Sequence, residues 1–314
     1  MRTVALHSIL VILGVALLGC GDASSEISPG EDNNSASDTS GSHGEIVVDL
    51  VESEELDFQV VQLANNLENP WGLAFLPEGD MLVTERPGRM NRVSLDGTVI
   101  PIGGVPEVHA EGQGGLLDVV LHPDYENTGW IYFTYSNTQS DALTSTTVAR
   151  AQLEGNTLTN VETLFVQDPP KEPGRHYGSR IVFMEDGTFL TSIGDRGLRD
   201  PAQDTQDDAG VLLRLNADGS IPSDNPFVDD DSVNDAHYSY GHRNQQGIVH
   251  HPESGIIWAH EHGPRGGDEL NLIEASSNYG WPEATYGREY NEDKPVGIDP
   301  DQTDRFTEPV IHWT

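Results

Sequence analysis

Residues 115–150 read GLLDVVLHPDYENTGWIYFTYSNTQSDALTSTTVAR, and this stretch decides the fold. An apolar strand from Gly115 runs into a His122-Pro123-Asp124 turn, a second strand covers residues 130–135, and a polar loop leads to a third at residues 147–150. β-Branched and aromatic residues fill the strands, while Pro, Asp and Gly, which hold turn conformations, occupy the breaks. The same phrase recurs. Residues 72–80 lead to 81–84 and 90–93, residues 179–187 to 189–193 and 211–215, and residues 246–252 to 255–259 and 269–273. No amphipathic helix of more than about ten residues interrupts the pattern. Recurrence at roughly 45–65 residues of strand-only units predicts an all-β chain built of propeller blades. A β-sandwich also gives many short strands, but it does not predict the same strand-turn-strand phrase four times. In a propeller the loops after the second strand of each unit are expected to meet at one mouth.

The chain has 314 residues, enough for one large β domain or two ordinary ones, and its 36% hydrophobic content suffices for a core. Asp and Glu number 52 against 16 Lys and Arg, a formal charge of -36. Such a surface repels phosphate backbones and anionic lipid, which argues against nucleic-acid binding. At the N-terminus Arg2 precedes an apolar run and then Leu17-Leu18-Gly19-Cys20. Residues 1–20 read as a secretory signal peptide too short to stay as a membrane span. The LLGC ending resembles the bacterial lipobox, which implies a lipid anchor at Cys20 and an exported protein facing the periplasm or the cell surface. Cys20 is the single cysteine, so thiol redox chemistry and disulfides are not expected in the mature chain. Residues 21–57, rich in Ser, Asp, Asn and Gly, read as a flexible acidic tether, and the propeller is expected over residues 58–314.

The polar loops carry Thr84-Glu85-Arg86, GQGG at 112–115, RHYG at 175–178, GDRG at 194–197, GHRN at 241–244 and EHGP at 261–264. His, Arg, Asn and carboxylates gathered in a cleft can abstract a proton, bind an anion and support a metal. Hydrolysis by a metal-bound water and hydride transfer to a bound cofactor both remain open on these residues. GxSxG, HExxH, CxxC and a glycine-rich strand-to-helix phosphate loop are absent, which removes the usual serine hydrolase, zinc protease and nicotinamide readings.

The phrases NPWGLAF (69–75), GQGGLL (112–117), HPDY (122–125), IGDRG (193–197), GHRNQQG (241–247), EHGP (261–264) and NYGWP (278–282) occur in family order. Together they resemble the soluble, quinoprotein aldose sugar dehydrogenases of the glucose/sorbosone dehydrogenase family, six-bladed propellers that bind pyrroloquinoline quinone and Ca²⁺. The resemblance implies His176 as the general base, a role suited to imidazole, with Asp195 orienting its ring. It implies Gln113, Arg243 and Asn244 as cofactor contacts, with His262 at a position where some relatives carry glutamine. It implies the carbonyls of Gly263 and Pro264 as ligands of a catalytic Ca²⁺, oxygen being the donor this ion prefers, and Glu269 and Tyr279 at a second, structural Ca²⁺. The implied substrate is an aldose or an aldehyde such as sorbosone, and the implied acceptor of its electrons a soluble protein such as a cytochrome. Relatives continue through further blades, so the expectation here is a C-terminally incomplete propeller of about four to five blades. The competing readings are a Ca²⁺-dependent propeller lactonase, which needs side-chain carboxylates and Asn on an axial metal, and a binding lipoprotein without turnover.

Overall fold

The computed structural model describes residues 44–140 and 142–314. The expected signal peptide, the Cys20 anchor and most of the tether lie outside the described residues. Two compact units form. The described part of the first comprises residues 44–67 and Ser94–Val99, with β1 (Glu45–Val51) paired antiparallel to β2 (Phe58–Gln62). The expectation of a tether reaching residue 57 is corrected. Strand structure begins earlier, because EIVVDLV carries enough β-branched residues to pair with β2 despite the acidic run that follows.

The second unit holds the repeats (Glu68–Val93, Ile100–Thr314). The first sheet is β3 (Pro70–Phe75), β4 (Met81–Glu85), β5 (Arg89–Val93) and β6 (Val99–Ile102). The second is β7 (Leu116–Leu121), β8 (Trp130–Ser140), β9 (Leu143–Glu154) and β10 (Thr157–Val166). The third is β11 (Ile181–Phe183), β12 (Phe189–Ile193), β13 (Val211–Leu215) and β14 (His237–Tyr240). The fourth is β15 (Gln245–His250), β16 (Ile257–Glu261), β17 (Asp268–Ile273) and β18 (Ile311–Trp313). In each sheet the strands stand in chain order, and the first strands β3, β7, β11 and β15 are successive neighbours. This is the arrangement of four propeller blades. The sequence phrase captures three strands of each blade, and the structure adds an outer fourth. The C-terminal strand β18 completes the fourth blade, within the expected count of about four to five.

Period-2 alternation explains why the middle strands read as apolar runs rather than as alternating apolar and polar residues. Ile131, Phe133 and Tyr135 of β8 face the core shared with Leu82 and Met90 of the first sheet, while Tyr132 between them faces Phe189 and Ile193 of the third. Leu190 and Leu212 in turn face Ile248 and Ile257 of the fourth. Sheets two and three are therefore buried on both faces, which a two-sheet sandwich does not provide.

One hydroxyl locks each junction near the axis. Thr84 Oγ1 accepts from Gly72 N (2.8 Å) and donates to Leu117 O in the next blade. Thr134 Oγ1 accepts from Asp118 N (3.0 Å) and donates to Ser179 O (2.8 Å), and Ser192 Oγ accepts from Arg180 N (3.0 Å) and donates to Gln245 O (3.3 Å). Thr134 is fully buried. Replacing it by the isosteric Val strands an amide and a carbonyl without water, so Thr134→Val is expected to destabilise the chain by about 1–3 kcal/mol. Denaturant unfolding checks this, and a smaller change would mean the junction relaxes.

Candidate active site

In an antiparallel meander the start of the first strand and the end of the second lie at the same edge of the sheet. The site draws on both. Thr84–Arg86 and Glu261–Pro264 span the ends of second strands β4 and β16 and Asp195 follows β12, whereas Gln113, His176, Arg243 and Asn244 lie in the connections that precede β7, β11 and β15. The expectation of loops after second strands alone is corrected accordingly.

His176 is buried and its backbone sits in the left-handed region at φ 56°, a conformation retained where surrounding contacts enforce it. Its backbone N–H donates to Gln113 Oε1 (2.8 Å). Its Nδ1 lies 2.6 Å from Asp195 Oδ1. Asp195 is fully buried, with Oδ1 also accepting from Gly197 N (2.7 Å) and Oδ2 from Trp281 Nε1 (2.8 Å). With the carboxylate so held, the imidazole donates from Nδ1 and leaves the Nε2 lone pair free. The two loops approach so closely that a Cβ on Gly194 would fall 2.2 Å from His176 O. A side chain there would push the His176 loop away from Asp195.

Asp195 N donates to Arg243 O (2.8 Å), joining the base to the next pair of residues. Glu261 fixes that pair from below by accepting from Arg243 N (2.5 Å) and Asn244 N (3.3 Å). His242 donates to Glu261 Oε1 (3.0 Å), and its Nε2 lies 2.9 Å from Ser239 Oγ. This Ser-His-Glu chain has the hydrogen-bond order of a hydrolase triad, but Ser239 and His242 are fully buried and no substrate reaches them. Its effect is to hold the Arg243–Asn244 backbone. The Arg243 guanidinium donates to His262 O (2.7 Å) and Tyr290 Oη (3.2 Å) and lies 5.3 Å from the Trp281 ring centroid.

A cleft of about 240 Å³ opens beside this group, lined among others by Trp71, Arg86, Gln113, Asn244, Gln246 and His262. Gln113 Oε1 is taken by His176 N, and Asn244 Oδ1 by Gly178 N (3.1 Å) and Gln246 Nε2 (3.2 Å). Each amide is thereby oriented with its NH₂ group left as a donor. Two amide donors, the Arg86 guanidinium and an indole suit a flat polyanion such as pyrroloquinoline quinone. His262 is exposed, with Nδ1 3.7 Å from Asp268 Oδ2.

Among the described residues no three His, Cys, Asp or Glu side chains converge as a metal-ligand set. Oxygen donors nevertheless gather at two places. Gly263 N is tied to Asp268 Oδ1 (2.8 Å), which shapes the turn bearing the Gly263 and Pro264 carbonyls. The second lies around Asn271: the buried Glu269 carboxylate accepts only a long bond from Asn271 Nδ2 (3.3 Å), the same group donates to the neighbouring Glu261 Oε1 (3.3 Å), and Asn271 Oδ1 has no partner. Burial and the neighbouring Glu261 charge push the Glu269 pKa well above the ordinary glutamate value. Two crowded carboxylates and an orphaned amide oxygen are hard donors that a Ca²⁺ would satisfy. Tyr279 takes part differently: its hydroxyl donates to Leu272 O (2.5 Å) and accepts from Glu274 N (2.9 Å), and its ring stacks on His242. Only its main-chain carbonyl remains for an ion.

The expected residues thus form one connected group. Sequence reasoning assigns no role to Trp281, Glu261 or Tyr290. Trp281 lies within the NYGWP phrase and Glu261 within EHGP, but no spacing signal ties either to Asp195 or Arg243.

Residues 67–314 match the family model described as Glucose / Sorbosone dehydrogenase. The chain is 40% identical over 255 residues to an aldose sugar dehydrogenase of Escherichia coli, covering 80% of this chain and 69% of that one. The crystal structure of the soluble aldose sugar dehydrogenase from Escherichia coli in the apo form superposes with a TM-score of 0.76 at 40% identity, covering 79% of this chain and 72% of that one. The PQQ-bound form of an aldose sugar dehydrogenase from Streptomyces coelicolor gives a TM-score of 0.67 at 32% identity, covering 80% and 70%.

Proposed function

The chain belongs to the glucose/sorbosone dehydrogenase family, and from that premise we propose that it oxidises the anomeric carbon of aldose sugars, using pyrroloquinoline quinone and Ca²⁺. The observation that carries this reading is the His176–Asp195–Trp281 relay beside a donor-lined cleft. His176 Nε2 takes the proton of the sugar C1 hydroxyl while Asp195 steadies the imidazolium that forms. Gln113, Asn244 and Arg243 bind and orient the anionic cofactor through their remaining N–H donors. The Gly263 and Pro264 carbonyls hold the catalytic ion, and Glu269 with the Tyr279 carbonyl a structural one. When bound, the quinone supplies the two-electron acceptor for C1 oxidation and Ca²⁺ the Lewis acid beside it. A soluble protein such as a cytochrome would serve as the electron acceptor, and the N-terminal LLGC sequence would anchor the protein at Cys20 on the outer membrane, facing the periplasm, or on the cell surface.

Reconstitution of the full-length protein with pyrroloquinoline quinone and Ca²⁺, followed by a panel of aldoses with an acceptor dye, tests this. Sugar-dependent dye reduction is expected. Lactone hydrolysis without dye reduction would instead identify a hydrolase.

The structural ion makes a separate prediction. Glu269 has a folded pKa raised above its unfolded value of 4.5, so in the metal-free chain its favourable contribution is complete below that value and is lost as pH rises through the raised one. At neutral pH, Ca²⁺ is expected to raise the melting temperature, and a chelator to lower it. Glu269→Gln is expected to raise the melting temperature of the metal-free form and to remove most of the response to Ca²⁺. An undiminished Ca²⁺ response in that variant would place the ion elsewhere.

A further inference from the structure

We propose that Arg196 is a positioning residue for the base: its guanidinium ties the segment leading into His176 to the second sheet, and so holds His176 against Asp195. This rests on the reading of His176 as the base. Arg196 follows Asp195 directly and is 5% exposed, an unusual place for an arginine. All five of its N–H donors are used, and every acceptor is uncharged. Nε donates to Arg175 O (3.3 Å), Nη1 to Thr144 O (3.2 Å) and Gln167 Oε1 (3.1 Å), and Nη2 to Thr144 Oγ1 (3.0 Å) and Glu172 O (3.3 Å). The guanidinium also lies 3.7 Å from the Tyr177 ring centroid.

These partners fall into two sets. Thr144 belongs to β9 and Gln167 follows β10, whereas Glu172, Arg175 and Tyr177 flank His176. One planar fork therefore bridges the second sheet to the residues on both sides of the base. Arg196 N also donates to His176 O (3.3 Å). A buried guanidinium is costly to desolvate, and one satisfied wholly by neutral acceptors is better suited to fixing geometry than to forming an ion pair. A lysine offers three donors from a single point and cannot span acceptors on four residues.

The test uses the full-length protein with pyrroloquinoline quinone and Ca²⁺, as wild type, Arg196→Met and Arg196→Lys, well below the melting temperature of each. Both variants are expected to lose about 100-fold in kcat, the penalty typical of a catalytic group displaced by about 1 Å, with KM and cofactor affinity unchanged. The second readout is the downfield proton resonance of His176 Nδ1–H on Asp195, assigned by its loss in His176→Ala. It is expected to broaden or vanish in both variants. If Arg196→Met does not fold, Arg196→Lys carries the test. Wild-type kcat and an intact resonance in the folded variants would overturn the proposal, and so would full restoration by lysine, which would reduce the role to charge alone. If the wild type itself shows no sugar turnover, the reading of His176 as base fails, and the resonance decides the positioning role: retention in the variants overturns it, loss supports it.

Discussion

His176→Ala is expected to lower kcat for aldose oxidation by about 100- to 10,000-fold, the contribution typical of a positioned general base. The imidazole Nε2 is the acceptor the relay leaves open, because Nδ1 is committed to Asp195 Oδ1 at 2.6 Å. Removing the ring takes away no hydrogen bond from the Gln113 and Asn244 amide NH₂ groups or from Arg243, so cofactor affinity should survive. His176 N still has its partner in Gln113 Oε1 after substitution. Steady-state kinetics and an absorbance titration with the cofactor read the two quantities separately. Turnover that persists at wild-type levels would remove His176 from the reaction.

Asp195→Asn is expected to cost up to about 10,000-fold in kcat, as in other enzymes where a carboxylate fixes the tautomer of a catalytic histidine. The surroundings of Asp195 give this substitution no good orientation. Oδ1 accepts from His176 Nδ1 and Gly197 N, and Oδ2 from Trp281 Nε1. An asparagine NH₂ placed toward Trp281 sets donor against donor. Placed toward His176, it opposes Gly197 N and forces the histidine proton onto Nε2, which abolishes the base. The fold should persist, since the side chains are isosteric. Combining Asp195→Asn with Trp281→Phe removes the indole donor and permits the first orientation, so the double variant is expected to be more active than Asp195→Asn alone. A double variant no better than the single one would mean that Trp281 does not govern the orientation of residue 195.

Part of the site is legible in the sequence. His176, Asp195, Arg243 and Asn244 stand in or beside phrases that carry the family resemblance, and the fold brings them into a single hydrogen-bonded group. What the phrases do not convey is how the residues are held. Trp281 is 86 positions from Asp195 in the chain, and Arg196 reaches back 52 positions to Thr144. Such partners share no local period, and the alternation rules that identify strands say nothing about contacts between loops of different blades.

By itself the sequence determined that the chain is built of short strands in a repeated unit, because side-chain alternation, β-branched content and Pro, Asp and Gly turns are local properties that each segment states independently. It also determined the acidic surface and the composition of the polar loops. Tertiary structure alone decided which loops meet, since a meander places the start of each first strand beside the end of each second strand. It decided as well that the Tyr279 hydroxyl is taken by Leu272 O and Glu274 N, and that β1 lies within the acidic N-terminal segment. Both outcomes depend on hydrogen-bond partners that become neighbours only when the sheets are assembled.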